Sequence, residues 1–179
     1  MHCTDNVFPG IFAPGGFAEL IKTNARAIVP LRPGVTPVDV GPLGCAGMTA
    51  YGAVKKALPY AYPGSYTVAL GAGGLGHIGI QALRALSQTE IIVVDRSAEA
   101  LEHARGWGAD QIVQANADGS HVQEVKDITG GGAQVVLDFV GERDAVLMLG
   151  TRGVDVLSAT AAGSTSRSSA RGSSRRRAS

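Results

Sequence analysis

Three features of this 179-residue chain predict a doubly wound α/β domain built on a parallel sheet. From Tyr66 onward, short β-favouring runs alternate with helical apolar patterns, the order expected when helices cross over between parallel strands. Two of those runs, at 90–95 and 134–140, are almost continuously apolar, as strands covered on both faces must be. Between the first run and its helix stands Gly71-x-Gly73-x-x-Gly76, a glycine turn in the strand-to-helix context that a dinucleotide site requires.

Taken in order, residues 1–43 lack helical periodicity and are broken by Pro9-Gly10, Pro14-Gly15-Gly16, Pro33-Gly34 and Pro42. They read as short strands joined by turns, with 17–21 and 27–29 the best strands, at the end of a β domain. Next, Ala46, Thr49, Ala50, Ala53 and Val54 give a helix face of small residues. Lys55 and Lys56 fall at its C-terminal end, where the dipole favours cations. Pro59 and the turn around Pro63-Gly64 end it.

The first strand is Tyr66–Leu70. The helix at 75–86 is expected to bury Leu75, Ile78, Ala82, Leu83 and Leu86, with Ile80 toward the edge of that stripe and Gly79 keeping the contact close. Strand 90–95 follows. A helix carrying Leu101, Ala104 and Trp107 comes next, then a strand at 111–114 and a helix marked by Val122, Val125 and Ile128. Glycines 130–132 end that helix before strand 134–140. A short helix at 144–149 and a last strand at 153–157 complete the domain. The assignment is therefore a β segment at 1–43, a nucleotide-binding domain at 44–157 and a tail at 158–179. That tail is almost wholly Ser, Ala, Gly, Thr and Arg and is expected to be disordered, because it cannot bury enough apolar area to offset ordering entropy.

A formal net charge of +1 hides an asymmetry: six Arg and one Asp follow residue 150, whereas the first 150 residues carry ten Lys or Arg and fourteen Asp or Glu. The Arg-rich end lacks aromatic residues for stacking on bases, so no specific nucleic-acid partner is expected. With no apolar run near the roughly 20 residues that span a bilayer and no signal-peptide pattern, the chain reads as soluble and cytoplasmic. Cys3 and Cys45 do not make a disulfide framework.

The chemistry centres on the glycine turn. Gly71 permits the tight turn, Gly73 lets backbone approach a pyrophosphate, and Gly76 brings the helix against its strand. Gly74 and Leu75 complete the loop, and the helix N-terminus offers free N–H groups to the phosphates. Asp95 lies 19 residues beyond Gly76. There a carboxylate accepts hydrogen bonds from adenosine ribose hydroxyls and repels a 2′-phosphate, favouring NAD over NADP. Arg96 argues the other way, since a guanidinium could pair with that phosphate. Asp95 could also simply cap the next helix. Cys45, just before a helix, suits a thiolate or zinc ligand, or else is an inert buried cysteine. His77 could reach the pyrophosphate or face solvent; His2, His103 and His121 read as surface residues.

With Gly16-Phe-Ala-Glu19, Gly44-Cys-Ala-Gly-Met-Thr-Ala-Tyr-Gly52, Gly71-Ala-Gly-Gly-Leu-Gly-His-Ile-Gly79, Val93-Val-Asp95, Gly108-Ala-Asp110 and Leu137-Asp-Phe-Val-Gly141 in this order, the sequence resembles the zinc-dependent alcohol dehydrogenases of the medium-chain dehydrogenase/reductase family. The resemblance implies a Rossmann domain beside the end of a GroES-like catalytic domain. It also implies NAD, zinc and interconversion of an alcohol with an aldehyde or ketone by hydride transfer. Cys45 falls at the family's last catalytic-zinc ligand and Cys3 at the fourth ligand of its structural-zinc lobe. Thr49 falls near the nicotinamide, and Phe139, Val140 and Gly141 form the wall beside it. The remaining zinc ligands have no counterpart in the sequence, and one thiolate cannot hold a catalytic zinc. The expectation is a fragment that binds the cofactor without turning over an alcohol, its tail an out-of-frame translation. Family members form homo-oligomers through the sheet edge, which here is the altered C-terminal region. Alternatives are a noncatalytic nucleotide-binding module and a zinc-independent quinone or enoyl reductase of the same superfamily.

Overall fold

The structure, a computed structural model, describes Val7 and residues 9–157. Cys3, His2 and the tail at 158–179 lie outside those residues. The chain divides into two compact units, one ending at Val40 and one beginning at Gly41.

In the first unit the expected strands do not form. Phe17 and Leu20 are exposed, 25–27 is a single 3-10 turn, and among the described residues of this unit the one extended pairing is an isolated bridge between Pro9 and Ala13. The physical reason is that β-propensity measures fit to a pleated, half-buried surface, and the described residues of this unit supply no neighbouring strand to build one. A four-residue helix, α1 (Pro37–Val40), ends it.

The second unit opens with a 3-10 turn at Gly41–Gly44 and then α2 (Ala46–Ala57), which buries Gly47, Ala50, Ala53, Val54 and Ala57. Pro59 converts its end into a 3-10 turn. Strands β1 (Tyr66–Leu70), β2 (Glu90–Asp95), β3 (Gln111–Gln114), β4 (Ala133–Asp138) and β5 (Leu149–Leu157) follow, with α3 (Gly76–Leu86), α4 (Ala98–Gly106) and α5 (Ser120–Thr129) between the first four. All pair in parallel in the order β3-β2-β1-β4-β5. The chain thus winds outward from β1 in both directions, as the α/β alternation predicts.

Alternation along the strands builds two cores. Ala69, Ile91, Val93, Val135, Leu137, Val154 and Val156 face α2, α3 and α4, whereas Val68, Leu70, Ile92, Val94, Val113 and Val136 face α5 and the 3-10 helix Arg143–Met148. On α3 the buried stripe is rotated from the expected one. Gly76, Gly79, Ile80 and Leu83 form it, with Ile80 fully buried, while Leu86 is 43% exposed. The two glycines set that rotation, because the Phe139 ring seats against Gly79 where any Cβ would collide with it. The expected helix at 144–149 is the 3-10 helix, and β5 starts four residues earlier than expected. The Gly108-Ala-Asp110 segment is a structural tie: Arg84 donates to the Gly108 carbonyl from Nε at 3.0 Å and Nη2 at 2.7 Å and pairs with Asp110, whose carboxylate also accepts from Ile91 N. Among the described residues no helix is long and apolar enough to cross a membrane.

Candidate functional site

The site lies where β1 and β4, neighbours in the sheet, send their connections to opposite faces. Chain reversal of this kind opens a crevice at the carboxyl ends of the strands. Gly71 N donates to Val94 O at 2.8 Å and Phe139 N to Leu70 O at 3.0 Å, extending the sheet by one rung on either side of β1. Beyond that rung the backbone turns. Gly71 takes φ +92°, where side chains are strained, and Val140 occupies the space a Cβ would need. At Gly76 a Cβ would drive into the Gly71 carbonyl, so the first turn of α3 sits directly on the loop. Gly73 and Gly74, by contrast, face open space. That space is a cavity of about 480 Å³ lined by Ala46, residues 71 and 73–76, Asp95, Phe139 and Val140. Glycine here leaves room for something outside the protein, and the N-terminus of α3, where His77 N donates to Gly73 O at 3.0 Å, turns its partial positive charge toward it.

A second cavity of about 450 Å³ adjoins it, sharing Gly71, Asp95 and Val140. Its remaining polar lining is Arg96, Asn116, His121, Glu142 and Asp144. Asp95 therefore touches both spaces. Its Oδ2 accepts from Ala72 N at 2.7 Å and its Oδ1 from Ser97 N at 2.7 Å, tying the glycine loop to the start of α4. The cap of α4 is Ser97, whose side chain accepts from Ala100 N, so capping is not the role of Asp95. Arg96 reaches across the cavity mouth to Glu142 at 2.7 Å. Val140, 52% exposed, stands between the two spaces as an apolar wall. Asp138 holds that wall in place, its Oδ1 accepting from Val140 N at 2.9 Å and Gly141 N at 2.7 Å.

His121 is a correction to the sequence reading: it is 4% exposed rather than a surface residue. Packing of α5 against the 143–148 helix buries it. Asn116 N donates to its Nδ1 at 3.4 Å, and Nε2 lies 3.4 Å from an Asp144 carboxylate oxygen. Accepting at Nδ1 leaves the proton on Nε2, directed toward Asp144. His103 is exposed, as expected, and its ring tilts against Trp107. His77 also meets Trp107, and its Nδ1 lies 3.2 Å from Gly73 O. Sequence reasoning missed Asn116, His121, Glu142 and Asp144. The signal available was topological: each follows the carboxyl end of a strand, where ligands bind in open α/β sheets.

Zinc is a different matter. Cys45 is exposed at the N-cap of α2, and among the described residues no three His, Cys, Asp or Glu side chains gather to hold a metal. Its thiol therefore has no co-ligand there, and the described residues do not fit a zinc ion, which takes at least three protein ligands. Thr49, one turn along α2, is not part of either cavity lining, whereas Ala46 is.

Residues 74–171 match the zinc-binding dehydrogenase family profile. The chain belongs to the zinc-binding dehydrogenase family. It is 38% identical over 140 residues to an NAD-dependent alcohol dehydrogenase of Sulfurisphaera tokodaii, covering 76% of this chain and 39% of that protein. To a D-arabinose 1-dehydrogenase (NADP(+)) of Saccharolobus solfataricus it is 33% identical over 152 residues, covering 83% and 43%. Its fold superposes on the alcohol dehydrogenase of Aeropyrum pernix with a TM-score of 0.78 at 39% identity, over 85% of this chain and 46% of that one. The chain thus spans less than half the length of each of these family members.

Proposed function

We propose that this chain is the cofactor-binding part of an NAD- and zinc-dependent alcohol dehydrogenase. In that reading the dinucleotide pyrophosphate lies over Gly73 and Gly74 at the N-terminus of α3, and the adenosine half occupies the cavity between Asp95 and Asp144. The observation that carries this is the pair of open glycines in a loop whose other two glycines are closed by contacts. Evolutionary relatives named as alcohol dehydrogenases supply the reaction class, and NAD when bound supplies the hydride acceptor for an alcohol. The chain's own residues bind and orient: Asp95 fixes the loop and faces the ribose, Val140 and Gly141 wall the site, and Thr49, outside both cavities, is placed near the nicotinamide by the family resemblance alone. No step is assigned to zinc, because Cys45 has no co-ligand among the described residues. The proposed substrate is a small alcohol, aldehyde or ketone, with the cytoplasm as the compartment and homo-oligomers as the assembled form.

Calorimetric titration of the 179-residue chain with NAD, alongside metal analysis and an alcohol-oxidation assay, tests this. The expected result is saturable one-to-one NAD binding without alcohol turnover. Absence of binding overturns the cofactor site, and turnover of an alcohol overturns the assignment of the chain as a binding part alone.

A further inference from the structure

Cofactor preference cannot be transferred from the relatives, since one is named for NAD and another for NADP. Nor does it rest cleanly on Asp95. Both oxygens of that carboxylate already accept a backbone N–H, so its charge is partly committed to holding the glycine loop and α4. The residue that could recruit a 2′-phosphate is Arg96, next in sequence and lining the same cavity. Arg96 is not free to do so. Its guanidinium Nη2 donates to Glu142 Oε1 at 2.7 Å, across 46 residues of sequence. Its backbone is held as well, with Gln114 Nε2 donating to the Arg96 carbonyl at 3.1 Å.

The Arg96 side chain is 78% exposed and that of Glu142 37% exposed. An ion pair so exposed adds little to stability, about 0 to 1 kcal/mol at most. Its consequence lies in charge placement. With Arg96 neutralised by Glu142, the carboxylates of Asp95 and Asp144 remain in the lining, and the cavity is acidic toward any added phosphate.

We propose that Glu142 is a specificity-determining residue, which engages Arg96 and so excludes the 2′-phosphate of NADP from the adenosine cavity. The inference rests on the cofactor site proposed above. Glu142 sits on the connection after β4, so the discrimination is shared between two loops: the carboxyl end of β2 presents the cation and the carboxyl end of β4 withdraws it. Releasing Arg96 converts a group that is silent toward NAD into a phosphate partner, because a guanidinium pairs with phosphate oxygens bidentately.

The test is calorimetric titration of the full chain with NADH, NADPH, 5′-AMP and 2′-AMP, repeated for Glu142→Gln and for Glu142→Gln combined with Arg96→Ala. Glu142→Gln is expected to improve the NADPH-to-NADH affinity ratio about threefold to fivefold, with NADH binding changed less than about twofold. The 2′-AMP probe should gain in parallel, the 5′-AMP probe should not, and Arg96→Ala should remove the gain. A ratio unmoved by Glu142→Gln, or a gain that survives Arg96→Ala, overturns the inference while leaving NAD binding intact. Failure of the wild-type chain to bind either dinucleotide overturns the cofactor reading itself, and this inference with it. Unchanged thermal midpoints in both variants, expected for exposed side chains, separate these outcomes from unfolding.

Discussion

Gly73 and Gly76 stand three residues apart in one loop and answer to different neighbours. A methyl group at Gly73 would enter the open cavity, touching no protein atom within 4 Å. A methyl group at Gly76 would meet the carbonyl of Gly71 and force α3 off its strand. Gly73→Ala is therefore expected to hold its thermal midpoint within about 3 °C while weakening NAD binding at least about tenfold. Gly76→Ala is expected to lose more than about 3 kcal/mol of stability, since backbone cannot move aside as a flexible side chain can. Differential scanning calorimetry and NAD titration on the two variants check the contrast. At this scale the sequence was informative about glycine and silent about partners. The roles of Gly71, Gly73 and Gly76 follow from their spacing between a strand and a helix, but the Arg96–Glu142 pair joins residues 46 apart. Likewise, burial of His121 depends on how α5 meets the 143–148 helix, which no local pattern encodes.

Among elements, β5 carries an unusual group. Asp155 pairs in register with Val136 and points to the face that holds Asp138. Its Oδ1 is a buried oxygen without a hydrogen-bond partner. Burial, and then the Asp138 carboxylate, push the Asp155 carboxyl up from 3.8 to about 6. Between those values the folded chain binds more protons than the unfolded chain at this position. Stability from this group is therefore full below the unfolded value, falls as pH rises toward about 6 and is constant above it. Asp155→Asn removes the charge and keeps the shape. After discounting for a half-buried side chain that water still screens, the variant is expected to gain about 1 kcal/mol at neutral pH. That gain should vanish below the unfolded value. Urea denaturation across the pH range checks it, and parallel pH profiles for the two proteins would contradict the raised Asp155 carboxyl. The elements themselves were legible from Tyr66 onward because buried parallel strands announce themselves as apolar runs. The unit ending at Val40 was not, because 17–21 and 27–29 have strand-like composition without a strand to pair with among the described residues.

For the whole molecule, the fold and the cofactor crevice are one construction: winding outward from β1 in both directions leaves a gap at the carboxyl ends of β1 and β4, and the glycine loop fills its floor. Membership of the zinc-binding dehydrogenase family fits that architecture. The metal the family is named for finds a single thiol, Cys45, in the described residues. The dinucleotide pyrophosphate is proposed to rest on the loop from Gly71 to Gly76. Amide hydrogen exchange of the 179-residue chain, with and without saturating NAD, tests it most directly. NAD is expected to slow exchange chiefly at the amides of residues 73–77 and, more weakly, of 140 and 141. NAD binding that leaves those amides unchanged, or that protects another surface instead, would contradict it.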